Sequence, residues 1–286
     1  MSPTAIPGNL ILRNTYVAPP LLAYYPGAAA AYSLRNLTEN NISVVRVRRD
    51  NDDAEQDFTA TEVSDGTLVA WVGAGNNGFV RTWYDQSGSG NDASAATDVN
   101  QPRIVVGGAL VTENSTPAIS YSDDLLTANF PLANTSNYFI TTVFRIDTSQ
   151  DPNVRYFALN LASSSINLQL GHNNSDGRYF NRVNNSTTLS ANTYTVFGSV
   201  NLLTWSASAG GLAFSRNGGT DAFNQTGSPG ANSLIGDGLS IFKGYDLNSY
   251  YAKTGRIQEL IIYPSDQSTN RTAIEANINA HYSIYP

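Results

Sequence analysis

The chain has 286 residues, with 23 acidic against 16 basic side chains, a formal net charge of −7, and no cysteine. An acidic balance of this kind excludes a partner held through its phosphates, such as nucleic acid, because phosphate binding depends on Lys and Arg. The lack of cysteine excludes disulfides, thiolate metal sites and a cysteine nucleophile.

Hydrophobic residues make up 41% of the chain and charged residues only 14%. With Asn, Ser, Thr, Gly and Tyr so abundant, that mixture predicts strands and polar turns rather than charged surface helices. No stretch approaches the roughly 18 consecutive apolar residues of a membrane span, so membrane insertion is not expected. The N-terminus lacks the basic and apolar regions of a signal peptide.

In chain order, residues 1–27 hold Pro3, Pro7, Pro19, Pro20 and Pro26, whose spacing stops any helix and predicts an extended arm. "GAAAAYSLRNL", residues 27–37, is rich in helix formers and predicts one short helix. From residue 43 the pattern turns to short apolar or alternating runs: "SVVRVR", "GTLVAWVG", "GFVRTWY", "PRIVVGGALV", "TPAISY", "YFITTVFRI" and their successors up to "RIQELIIY" at 256–263. Clusters of Gly, Asn, Asp and Ser separate nearly all of them, as in an antiparallel sandwich. The last segment predicts a helix with Ser265 or Ser268 as its cap, and Ile274, Ile278 and Tyr282 share one face that packs on the sandwich.

Several groups of residues carry the chemistry. In "WYDQSGSGNDA", Trp83 and Tyr84 point to opposite faces of a strand. Tyr84, Asp85 and Gln86 are candidate ligand contacts, weighed against a turn in which Asp85 and Ser87 accept backbone hydrogen bonds. The acidic run "RRDNDDAEQD" makes Asp50, Asp52 and Asp57 candidate Ca²⁺ ligands. Arg46, Arg48 and Arg49 beside them favour ion pairs instead, so no cofactor is expected. His172 and His281 stand alone, with a solvated or core-edge role as the default. The loop "GYDLNSYYAKTG" gathers Asp246, Asn248, Tyr250 and Tyr251, whose rings, amide and carboxylate suit a sugar face and its hydroxyls.

"AYSLRNL", "VRVRRDNDDAEQDF", "FVRTWYDQSGSGNDA" with "QPRIV", and "GRIQELIIYPSDQSTNRTAIEANINAHY" together resemble the concanavalin-A-like, laminin-G-type jelly roll. The nearest named relatives are the catalytic regions of α-L-arabinofuranosidases of the B type, and the same motifs are similar to structural proteins of marine bacteriophages. The resemblance implies an all-β fold: a concanavalin-A-like jelly-roll β-sandwich over residues 28–286, with a short N-terminal helix and a C-terminal amphipathic helix.

For the arabinofuranosidases it implies a general acid in a Gly-Asp-Asn-type loop, and Asp246 stands in the similar place with Tyr245 inserted. It also implies a nucleophile in an Asp-Leu-Glu stretch after a pair of cysteines. This chain has no cysteine and no Glu between Glu113 and Glu259, so neither motif is matched. Asp176 and Asp221 are the weak substitutes.

The expectation is therefore a non-enzymatic virion protein of a bacteriophage: a head decoration, fibre or tail component that binds cell-surface glycans weakly. It would be a homo-oligomer, joined to other virion subunits through Leu10, Ile11, Leu21 and Leu22 of its arm. A glycoside hydrolase and a ligand-free structural subunit are the alternatives.

Overall fold

The computed structural model describes residues 19–148, 153–160, 166–173, 177–183, 186–194, 197–208, 211–224, 234–242 and 254–286. The chain enters through a helical turn α1 (Leu21–Tyr24), then runs through β1 (Ala30–Ser33), β2 (Ser43–Arg49) and β3 (Glu55–Thr59). Two short helices follow, α2 (Ala60–Ser64) and α3 (Thr67–Val72). Next come β4 (Gly78–Trp83), β5 (Ala93–Ser94), β6 (Arg103–Val106) and the two-residue strands β7 (Ala109–Leu110), β8 (Thr112–Glu113) and β9 (Thr116–Pro117).

The longer strands are β10 (Ile119–Ser122), β11 (Leu126–Thr135), β12 (Tyr138–Thr148), β13 (Asn153–Asn160), β14 (Ile166–Asn173), β15 (Arg178–Val183) and β16 (Ser186–Ser190). The chain closes with β17 (Val200–Ser208), β18 (Gly211–Arg216), β19 (Gly219–Asn224), β20 (Leu234–Ile241), β21 (Thr254–Tyr263) and helix α4 (Arg271–Tyr282).

Two layers follow from the pairing. The front layer runs β3, β2, β4, β5, β11, β20, β13, β14, β15, β16, and the back layer runs β6, β10, β21, β12, β17, β18, β19, with β1 also beside β21. These pairs are antiparallel, β6 bonds to β4 at one edge, and β16 bonds to β19 at the other. The sandwich is an all-β jelly roll, as the turn-separated runs predict.

Period-two alternation sorts the side chains between the layers. From the back layer Tyr32, Ile140, Phe144, Leu203, Trp205, Leu260 and Ile262 face inward, meeting Val45, Val47, Trp83, Leu126, Leu159, Leu170 and Leu239 of the front layer in one core. The intervening residues of the back layer, Ala31, Phe139, Val143, Leu202, Ile261 and Tyr263, face the other way and form a second cluster under Ile274, Ile278 and Tyr282 of α4. The predicted helix face is the one that packs, although the helix starts after Asn270 rather than at Ser265 or Ser268.

Three local expectations are corrected. The helix predicted over 27–37 is the buried strand β1, whose pairing with β21 overrides the helix preference of its alanines. The N-terminal helix lies earlier, at α1, where Leu21 is fully buried in the second cluster with Leu22 against it. The run 66–73, predicted as a strand, is helix α3, bounded by Gly66 at φ 96° and Gly73 at φ 86°. Residues 1–18, with Leu10 and Ile11, lie outside the described residues.

Candidate functional site

The strand β4 ends where its aromatic pair meets the acidic turn. Trp83 is fully buried in the core, and Tyr84 points to the opposite face, donating its hydroxyl to Asp57 at 2.8 Å. Burial and the Asp57 carboxylate raise the Tyr84 pKa to about 12.

Asp85 accepts four hydrogen bonds. Ala31 N and Ser87 N reach Oδ1 at 2.8 and 2.9 Å, and Ser87 Oγ and Asn91 N reach Oδ2 at 2.7 and 3.1 Å. Gln86 accepts from Leu37 N and donates to the carbonyls of Ser33 and Arg35. Both side chains are thus spent inside the fold, binding the turn to the segment around β1. Gln86 also lines a cleft of about 420 Å³ with Leu22, Thr38, Glu39, Asn40 and Ser87.

The acidic run resolves into separate pairs. Asp57 takes Arg46 bidentately at 2.7 and 2.9 Å, Asp52 takes Arg49 at 2.7 and 2.8 Å, and Asp50 accepts from the backbone and side chain of Asn77. The Arg46 guanidinium holds the Asp57 carboxyl below its ordinary range, and Arg49 holds that of Asp52 at about 2. Among the described residues no three His, Asp or Glu side chains gather at metal-binding spacing.

His172 is fully buried rather than at the core edge, with Nδ1 3.1 Å from the Tyr156 hydroxyl. Asp246, Asn248, Tyr250, Tyr251 and Asp176 lie outside the described residues. The side chain of Asp221, on β19, does too.

The two outer faces of the sandwich differ. The back is covered by α1 and α4. Across the front, strand register aligns one row of directly opposed residues: Asp57, Arg46, Thr82, Ser94, Thr127, Ser240, Ala158, Gln169, Arg182 and Thr187. Directly opposed residues share a face, so this polar row lies on the side away from the core. Most of it is exposed or half-buried, but Ser240, Ala158 and Gln169 are buried, as is Phe180 one step along β15.

Gln169 is fully buried, and neither its Nε2 nor its Oε1 has a hydrogen-bond partner. Each such group costs about 1–3 kcal/mol when left unpaired. Gln169 was not among the residues expected at a site, though "INLQLGH" carries the signal: Leu168 and Leu170 alternate with Gln169 and Gly171, which places a polar residue and a glycine on the outer face.

No family model matches the chain. No curated protein matches it either. Solved structures do. An arabinofuranosidase complexed with arabinofuranosyl-α-1,2-xylobiose superposes with a TM-score of 0.67 at 18% identity over 91% of this chain. A GH54 α-L-arabinofuranosidase soaked with a cyclic sulfate inhibitor does so with a TM-score of 0.65 at 16% identity over 92%. The chain spans 64% of the length of these arabinofuranosidases.

At such identity the likeness establishes the shared jelly-roll fold. It also corrects the expectation of a non-enzymatic virion protein, because solved structures that share the fold across nine-tenths of the chain include several arabinofuranosidases. The physical reason lies in what the exclusion rested on. A glycosidase requires two carboxyl groups at a set separation in space, and a missing Asp-Leu-Glu motif does not tell which acids the fold brings together.

Proposed function

We propose that the chain is a glycoside hydrolase of the arabinofuranosidase type, acting on neutral, arabinose-bearing glycans. The observation that supports this reading is the superposition over 91% of the chain on an arabinofuranosidase bound to an arabinofuranosyl oligosaccharide. Fold likeness argues function by analogy, so the chemistry must be consistent with it. A front face lined by hydroxyl, amide and guanidinium groups suits uncharged hydroxyl-rich ligands. The formal charge of −7 disfavours a polyanionic one.

In this reading Asp246 is the general acid. It protonates the glycosidic oxygen as the bond to the leaving group breaks, while a second carboxylate attacks the anomeric carbon; water then releases the sugar from that ester. The test is release of 4-nitrophenol from 4-nitrophenyl α-L-arabinofuranoside by the whole chain. Turnover is expected, and Asp246→Asn should lower kcat about 10²- to 10⁴-fold. Absence of turnover across aryl furanosides and arabinose-bearing polysaccharides would refute the reading.

A further inference from the structure

We propose that Gln169 is a sugar-contact residue that reads a pair of neighbouring hydroxyls on a neutral furanoside or short oligosaccharide, with Arg182 and Phe180 beside it. The inference rests on the glycan reading of the front face. Four observations converge on this residue. It lies on the side of the front layer away from the core, between Ala158 on β13 and Arg182 on β15. It is nonetheless fully buried. Both ends of its amide are unpartnered, and among the described residues no other amide side chain is left so at both ends. Finally, Phe180 is buried there yet belongs to neither apolar cluster; directly across from it stand Gly171 on β14, which has no side chain to cover the ring, and Leu189 on β16.

The chemistry selects the ligand. A primary amide donates through Nε2 and accepts through Oε1, and a vicinal diol accepts and donates in the complementary sense. An aromatic ring one strand position away adds an apolar surface for the sugar's C–H bonds. A buried polar group without a partner demands an explanation in a stable fold, and a ligand that completes it is one. The purely structural alternative is that the amide remains unpaired or holds only water.

The two alternatives separate on Gln169→Leu, with Gln169→Met as a second apolar variant should the first fail to fold. Titration calorimetry of the full chain with 4-nitrophenyl α-L-arabinofuranoside, L-arabinose and an arabinofuranosyl xylo-oligosaccharide gives the affinity, and thermal unfolding gives Tm. The expected result is binding weakened about tenfold or more, with Tm unchanged or raised because no hydrogen bond of the fold is lost.

Wild-type affinity in the variant overturns the inference. So does a fall in Tm in both variants, or a wild-type chain that binds none of the three probes. If the wild type binds but never hydrolyses, and Gln169→Leu abolishes binding, the contact stands and the hydrolase reading fails. If it hydrolyses and the variant keeps KM and kcat, the hydrolase reading stands and the contact fails.

Discussion

Asp85 shows how one carboxylate can organise a turn. Its two oxygens collect backbone N–H groups from Ala31 of β1 and from Ser87 and Asn91 of the turn between β4 and β5. Asp85→Ala leaves those donors unmet in a nearly closed environment and should lower stability by about 3 kcal/mol or more, read by chemical denaturation. Tyr84→Phe, which loses one half-exposed bond to Asp57, should cost far less. This local chemistry was legible from "DQSG", where acid, hydroxyl and glycine alternate as turn formers do. Gln169 was not, because a buried amide inside an apolar run looks the same in sequence whether or not it finds a partner.

His281 is a second residue whose surroundings set its behaviour. Burial, then the neighbouring Arg35 charge, lower its pKa to about 4, and Glu259 only partly opposes them. A base whose folded pKa lies below its unfolded value of about 6.5 binds more protons when unfolded. Its contribution is therefore fully present above pH 6.5 and is lost as pH falls toward 4. Denaturation midpoints should fall across that window for the wild type and change less for His281→Asn.

At the scale of elements, helix α4 is fixed by an ion pair as well as by its apolar face. Arg35, just past β1, reaches Glu259 of β21 through Nε at 2.7 Å and through Nη2 at 3.0 Å. Glu259 also accepts from Ser33 and from Tyr282 of α4. Burial alone would lower the Arg35 pKa, but Glu259 against it reverses the direction and keeps the guanidinium charged.

Removing one partner strands a buried charge, so Arg35→Met should cost about 3–5 kcal/mol. The double substitution Arg35→Met with Glu259→Met should cost less than the single one. Urea unfolding of the three variants checks the order. The sequence did not announce this pair, since 224 positions separate its members. It did announce the strands, because turn residues fall between apolar runs. It misled at α3 and β1 for opposite reasons. Thr67–Val72 is β-prone but is bounded by two glycines in left-handed geometry, whereas Ala30–Ser33 is helix-prone but is captured by the edge of β21.

Across the whole molecule, the two layers divide labour. Alternation on β12, β17 and β21 buries both sides of the back layer, one against the front layer and one against α4. The front layer has the core on one side only, and its other side is polar. That asymmetry follows from one fact of composition: apolar residues run continuously in "ELIIY" but alternate with polar ones in "LTANF". What the sequence could not supply is the register that lines up Thr127, Ser240, Ala158, Gln169 and Arg182 across five strands, because register is set by pairing in three dimensions.

The position of α4 has a practical corollary. Pro286 follows closely on a helix seated on the back layer, so a protein captured by a tag fused there would be held with its polar row turned toward the bulk solution. Immobilised this way on a sensor chip or a resin, the molecule would present its front face to whatever flows past. Coupling through carboxylates such as Asp57 would instead tether it by that very row.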